Sequence, residues 1–148
     1  MQAFVAEMNR MARELGFEKS NFSNPDGFHL GSHYTCLNDM ARIAKLALDT
    51  PVIAYHMKKD KEEVVLLSGQ TLTWKNTNLF LDPENDFHRS DAIGMKTGFT
   101  RQAQYCLMSA FNCGNGRKLV IGAFGSANEY DRLRDINKLM KVVKPLLK

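Results

Sequence analysis

A lysine, a threonine and a glycine stand side by side at Lys96-Thr97-Gly98, within the run Gly94-Met95-Lys96-Thr97-Gly98-Phe99-Thr100. The stretch Ala92–Thr97 has strand character, so the triplet falls at a strand end. There the three residue types do complementary work. Lys96 brings an ammonium to a reacting centre, where it stabilises developing negative charge or steers a proton. Thr97 offers a hydroxyl to a substrate carboxylate. Gly98 carries no side chain, so an extended peptide has room to lie along the strand and pair with its backbone. Random order would produce only about 0.04 such triplets in this composition, and a turn after an edge strand is the plainer alternative.

Attack on a peptide carbonyl needs an activated nucleophile. The serines are Ser20, Ser23, Ser32, Ser68, Ser90, Ser109 and Ser126, and none is followed by lysine three residues on. The Ser-x-x-Lys nucleophile pattern is therefore absent. Ser126-Ala127-Asn128 matches Ser-x-Asn, but about 0.5 such matches arise by chance here, and it reads as the end of a strand. Cys36, Cys106 and Cys113 make no Cys-x-x-Cys pair, so neither a zinc ribbon nor a disulfide framework is encoded. Cys106 is expected buried in a strand, and Cys113 exposed in a glycine-rich loop. His29 and His33 have a metal-compatible spacing, but Gly31 lies between them, Pro25-Asp26-Gly27 precedes them and no glutamate takes the zincin position. They read as loop histidines, and no metal or cofactor is expected.

The elements that must carry the triplet follow from periodicity. Phe4, Val5, Met8, Met11, Ala12 and Leu15 recur at helical steps, with Gly16 as the stop. A loop over Phe17–His33 contains the turn signal Asn24-Pro25-Asp26-Gly27. Thr35 is placed to cap a second helix with Leu37, Met40, Ala41, Ala44 and Leu48 on its buried stripe. Thr50-Pro51 reads as cap and first residue of a short helix to about Met57. The stretch from Lys58 to Asp91 is irregular, with strand propensity at Val64–Leu67 and Thr71–Trp74 and an exposed polar loop over Asp82–Asp91. Then come Ala92–Thr97, Ala103–Phe111 and Lys118–Phe124, the last two joined by a hairpin loop at Asn112–Arg117. A closing helix spans Asn128–Leu147.

Composition sets outer limits. With 148 residues, 44% hydrophobic and 24% charged, the chain has material for one core, and disorder, collagen and coiled coil are excluded. Its apolar runs are too short to span a bilayer as a helix. The net charge is +4, yet the basic residues are scattered, and the densest cluster, Lys58-Lys59-Asp60-Lys61-Glu62-Glu63, alternates in sign. That is a solvated surface rather than a nucleic-acid face.

In their order and spacing, these blocks resemble the C-terminal part of the catalytic domain of serine-type D-alanyl-D-alanine carboxypeptidases. These are the low-molecular-mass penicillin-binding proteins of peptidase family S11. The resemblance is carried by Phe4-Val5 with Met8-Asn9, Ala12 to Leu15-Gly16, Phe22 with Asn24-Pro25-Asp26-Gly27, and His33-Tyr34-Thr35. It continues through Asp39-Met40-Ala41, Asn76-Thr77-Asn78-Leu79, the lysine-threonine-glycine block and Cys106-Leu107.

The resemblance implies an α/β (α+β) fold: part of the β-lactamase/penicillin-binding-protein transpeptidase-like domain, with a helical subdomain, three antiparallel strands and a C-terminal helix. Residues 1–148 would then be a single incomplete domain, 1–91 the helical part and connection, 92–148 the strands and final helix. It implies trimming of D-Ala-D-Ala stem peptides of peptidoglycan through an acyl-enzyme. The complete enzyme would also take β-lactams, and would work outside the cytoplasmic membrane, in the cell envelope or periplasm. Lys96 carries the catalytic support, and Thr97, Gly98 and Phe99 bind substrate, with Arg132 a further candidate beside the substrate carboxylate. Asn76 and Asn78 organise the site, and His33 with Tyr34 anchors a loop. The family's nucleophile and Ser-x-Asn motifs lie upstream of the segment resembling Phe4, so this chain is expected to be inactive alone. Its strand 118–124 would lose its usual neighbours and self-associate or pair with an N-terminal part. Gln104 stands where the family commonly has glycine, and its side chain is expected to crowd the substrate strand or the next strand. The alternative is a non-catalytic module that binds peptidoglycan peptides.

Overall fold

A computed structural model describes residues 1–147. Helix α1 (Gln2–Glu14) ends as its pattern predicts: Leu15 closes it and Gly16 follows at φ 72, where a residue without Cβ is unstrained. The Arg42 guanidinium donates to the carbonyls of Leu15 and Gly16 and lies over the Phe17 ring. One side chain thus satisfies the end of α1 and ties it to α2 (Leu37–Asp49).

The cap of α2 is Cys36 rather than Thr35. The Cys36 sulfur accepts the Asp39 N–H, while the Thr35 hydroxyl pairs with Ser20 Oγ at 2.8 Å. Buried Asp39 accepts from the Lys19 N–H and the Ser20 hydroxyl, so the first turn of α2 holds the start of the preceding loop. Further along that loop, His33 Nδ1 accepts the Ser23 N–H at 3.1 Å and the ring meets Phe22 edge-on. Helix α3 (Pro51–Met57) begins with proline, but the Thr50 hydroxyl turns back to the Leu46 carbonyl instead of capping forward.

The middle of the chain is more regular than its sequence suggests. Strands β1 (Lys61–Val65) and β2 (Thr71–Lys75) form an antiparallel hairpin, a sheet of their own. Leu66 and Leu67 lie in its turn, not in a strand, because the Leu66 N–H closes on the Gln70 carbonyl and the Gly69 N–H on that of Leu66. The described residues therefore form five strands in two sheets.

The second sheet has the order β3 (Ala92–Thr100), β4 (Gln104–Asn112), β5 (Lys118–Ser126), all antiparallel. β3 runs past Thr97 because Gly98, Phe99 and Thr100 stay paired with Cys106, Tyr105 and Gln104. Asn128 accepts the N–H groups of Tyr130 and Asp131, capping helix α4 (Glu129–Val143), so the Ser-x-Asn match runs from the end of β5, at Ser126, to the cap of α4. Lys144–Leu147 is a 3₁₀ turn rather than more α-helix, since Pro145 has no N–H to donate.

Helix α4 covers one face of the sheet, where Leu133, Ile136 and Met140 pack on Leu107, Phe111, Ile121 and Phe80. Helix α2 lies on the other face. A Cβ at Gly122 would meet Met108 Sδ at 2.4 Å and Leu37 Cδ2 at 2.6 Å, which is how closely that helix approaches. The outer edge of β5 has no strand beside it among the described residues. A cavity of about 340 Å³ lies along it, between Leu37 and Ala41 of α2 and Leu139 and Val143 of α4. Cys36, Cys106 and Cys113 are all unpaired and half-buried, so Cys106 is less covered, and Cys113 more covered, than a strand and a loop position suggest. No described helix is long and apolar enough to cross a membrane.

The loop Asp82–Asp91 is anchored to the body by its own charges. Asp91 accepts from Arg89 at 2.9 and 2.8 Å and from Lys144 at 2.7 Å. Burial alone would raise this carboxyl, but the hydrogen bonds from Arg89 and Lys144 hold it below its ordinary 3.8. The unfolded chain therefore takes up this proton more readily than the folded one. The stabilisation is complete above the ordinary value and is lost as pH falls through the folded one. Asp91→Asn is expected to lower stability by about 1–2 kcal/mol at neutral pH. The loss should shrink as pH falls below 3.8 and through the folded value, as urea denaturation at neutral and acid pH would measure.

Candidate functional site

The triplet is held where β3 passes the end of α3. The β3–β4 register is interrupted between Ala92 and Gly94, and Gly94 adopts φ 115. An added Cβ there would sit 2.0 Å from the Met57 carbonyl oxygen, so only glycine lets β3 come this close to α3. Met95 follows at φ 121, an unfavourable conformation for a residue with a side chain, one position before Lys96.

Asn76 and Asn78 brace the same region. Asn76 Nδ2 donates to the Met57 and Lys59 carbonyls at 3.3 and 2.9 Å, and its Oδ1 accepts the Asn78 N–H at 2.9 Å. Asn78, 1% exposed, donates to Ser109 Oγ at 3.2 Å and accepts the Phe80 N–H at 3.2 Å. The Ser109 hydroxyl then donates to the Gly94 carbonyl at 3.3 Å. A chain of polar contacts thus links the Asn-Thr-Asn turn to the start of the triplet's strand. Between the two asparagines, Thr77 Oγ1 lies 2.6 Å from Thr97 Oγ1.

Lys96 and Thr97 open on a cleft of about 540 Å³ between α3, the segment Lys75–Thr77 and the segment Met95–Thr97. Its charged groups are Lys75 and Lys96, with His56 nearby, and no carboxylate lines it among the described residues. Such a cleft suits an anion. The Lys96 ammonium rests on the Thr97 carbonyl, which uses one of its three donors and leaves two.

The structure brings Lys96, Thr97 and Asn76 together at this cleft, with Asn78 behind them. Gly98 and Phe99 lie beyond its rim on β3, both exposed, and the Phe99 ring packs on Tyr105 at 4.4 Å. Arg132 does not line this cleft. It is buried at the start of α4, with Nη1 donating to the Cys106 carbonyl at 3.1 Å and the guanidinium 5.6 Å from the Tyr105 ring centre. Burial lowers its pKa, against the opposing pull of Glu129, and its Nε has no protein partner. Gln104 stands at φ 56 and is exposed, so the demand at this position is on the backbone, and its side chain is not buried against the next strand.

Three contributors escaped the sequence reading as site residues: Thr77, Lys75 and Ser109. For Ser109 a signal existed, since it is the lone hydroxyl within Leu107-Met108-Ser109-Ala110-Phe111. For Thr77 it was the place between two asparagines. Lys75 carried none.

The sequence pattern of the family described as D-alanyl-D-alanine carboxypeptidase, Peptidase S11, matches residues 1–125. The chain is 30% identical over 141 residues to D-alanyl-D-alanine carboxypeptidase DacF of Bacillus subtilis, which covers 94% of this chain and 34% of that protein. It is 32% identical over 146 residues to the D-alanyl-D-alanine carboxypeptidase of Streptomyces sp. strain K15, covering 95% and 48%. The crystal structure of the Streptomyces K15 DD-transpeptidase superposes with TM-score 0.81 at 32% identity, over 95% of this chain and 53% of that one. The D-alanyl-D-alanine carboxypeptidase DacD of Francisella tularensis shares the fold, with TM-score 0.82 at 22% identity, over 95% and 44%. The mixed arrangement of helices and antiparallel strands is thus that of DD-peptidase domains, and the chain spans between a third and a half of the length of these curated relatives. By its sequence and its fold, this chain belongs to the D-alanyl-D-alanine carboxypeptidase family.

Proposed function

We propose that the chain is the substrate-strand portion of a serine-type D-Ala-D-Ala carboxypeptidase, a single incomplete domain of an enzyme that trims peptidoglycan stem peptides outside the cytoplasmic membrane. The observation that carries this reading is the acid-free cleft shared by Lys96 and Thr97 on β3. A D-alanine carboxylate entering it meets the Thr97 hydroxyl and the charge of Lys96, while the peptide extends along the exposed Gly98 and Phe99. Lys96 also lies where it can stabilise the charge that develops on the scissile carbonyl. Acyl transfer requires a serine whose proton is taken by a neighbouring base. No serine of this chain has lysine three residues on, so acylation by substrate or by a β-lactam needs residues beyond these 148.

Titration with an acetylated Lys-D-Ala-D-Ala peptide is expected to shift the NMR signals of Lys96–Phe99, and Thr97→Val should abolish or strongly reduce the shifts. A fluorescent penicillin should not label the chain. Absence of peptide shifts, or stoichiometric labelling, overturns the reading.

The free edge of β5 belongs to the same proposal. Leu119, Val120 and Ile121 offer an unpaired backbone beside an apolar cavity, a surface that recruits another strand. The chain alone is expected to self-associate there as concentration rises. A single monomeric species by light scattering at high concentration would count against this.

A further inference from the structure

Of the run Asn76-Thr77-Asn78, the two asparagine side chains are committed to the frame, Asn76 to the Met57 and Lys59 carbonyls and Asn78 to Ser109 and Phe80. Thr77 between them is exposed, and its hydroxyl meets that of Thr97 at 2.6 Å. We propose that Thr77 is a positioning residue: it holds the Thr97 hydroxyl in the orientation that donates to a ligand carboxylate. The proposal rests on the functional reading above.

A threonine hydroxyl has one proton and two acceptor lone pairs. With Thr77 as donor, Thr97 accepts and keeps its own proton free for the cleft. With the direction reversed, the Thr97 proton is spent on Thr77 and the cleft meets only a lone pair. A carboxylate solely accepts, so its arrival selects the first arrangement. Because Asn76 and Asn78 clamp both flanks of Thr77, the contact also restricts Thr97 to one χ1 well before any ligand binds. That reduces the ordering left to be done on binding. The polar contact of the Thr77 side chain is with Thr97, so its effect should be confined to recognition of the carboxylate.

Two readouts test this on the whole chain. Without ligand, three-bond couplings to the Thr97 methyl carbon should report one χ1 rotamer in the unaltered protein and in Thr77→Ser, but averaging in Thr77→Val. With ligand, acetyl-Lys-D-Ala-D-Ala is compared with its C-terminal amide. Thr77→Val is expected to weaken binding of the acid about fivefold, the size of one net hydrogen bond, and to leave the amide nearly unchanged. Thr77→Ser should restore the acid's affinity. Equal losses on both peptides, or a Thr97 rotamer still fixed in Thr77→Val, overturn the proposal. If the unaltered chain binds neither peptide, the functional reading fails, and the rotamer measurement still decides whether Thr77 controls Thr97.

Discussion

Gly94→Ala is expected to destabilise the chain by about 3 kcal/mol or more, enough to leave a large fraction unfolded. Two costs add. The backbone at φ 115 is unfavourable for any residue with a Cβ, and that Cβ would lie 2.0 Å from the Met57 carbonyl oxygen and 2.8 Å from its carbon. Both obstacles are backbone atoms, which cannot swing aside as the tip of a methionine can. Relief would require β3 and α3 to separate, which widens the cleft that Lys96 and Thr97 line. Gly98→Ala is the matched control on the same strand. Its new Cβ would find nothing nearer than Cys106 Cβ at 3.9 Å, and no unusual φ is demanded there. Its stability should change by less than about 1 kcal/mol. Urea denaturation of the two variants checks this, and equal midpoints would mean that β3 does not press on α3 as described.

Asn78→Ala is the second large effect, expected at about 2–4 kcal/mol. The carboxamide is buried and works in both directions, donating to Ser109 Oγ and accepting the Phe80 N–H. Its removal strands a buried amide proton next to Phe80, itself 0% exposed, and frees Ser109 on one side. Ser109→Ala alone should cost less, since it removes one end of a single contact and the weak bond to the Gly94 carbonyl. Combining the two should fall short of the sum, because the Asn78–Ser109 bond is counted once in each single variant. Strict additivity in a denaturation cycle would deny that the two side chains share a bond.

These two positions show how far the chain's residues speak for themselves. Gly94 belongs to the block from which the sequence reading started, yet nothing in that block says why glycine is required. The requirement comes from a carbonyl thirty-seven positions earlier in the chain, at Met57. Asn78 was legible as a side chain apt to bond backbone, and it does so at Phe80, but its partner Ser109 lies on another strand. Caps behave likewise. Thr35 and Cys36 both stand before α2, and the Ser20 hydroxyl, reached only through the folded loop, draws Thr35 away and leaves Cys36 to cap.

What the residues dictated locally is the existence of α1, α2, α3, α4, β3, β4 and β5 and the place of Lys96-Thr97-Gly98 on a strand. These depend on hydrophobic period, on glycine, asparagine and proline at turns, and on neighbours within a few positions. Tertiary structure alone decided the rest. It joined Thr77 to Thr97, tied Arg132 to the Cys106 carbonyl and drew Leu66–Gln70 into a hairpin tip. Each of these depends on groups distant in sequence meeting in space. Pattern along a chain records what a residue prefers, whereas contact across the fold settles which of its preferred partners it obtains.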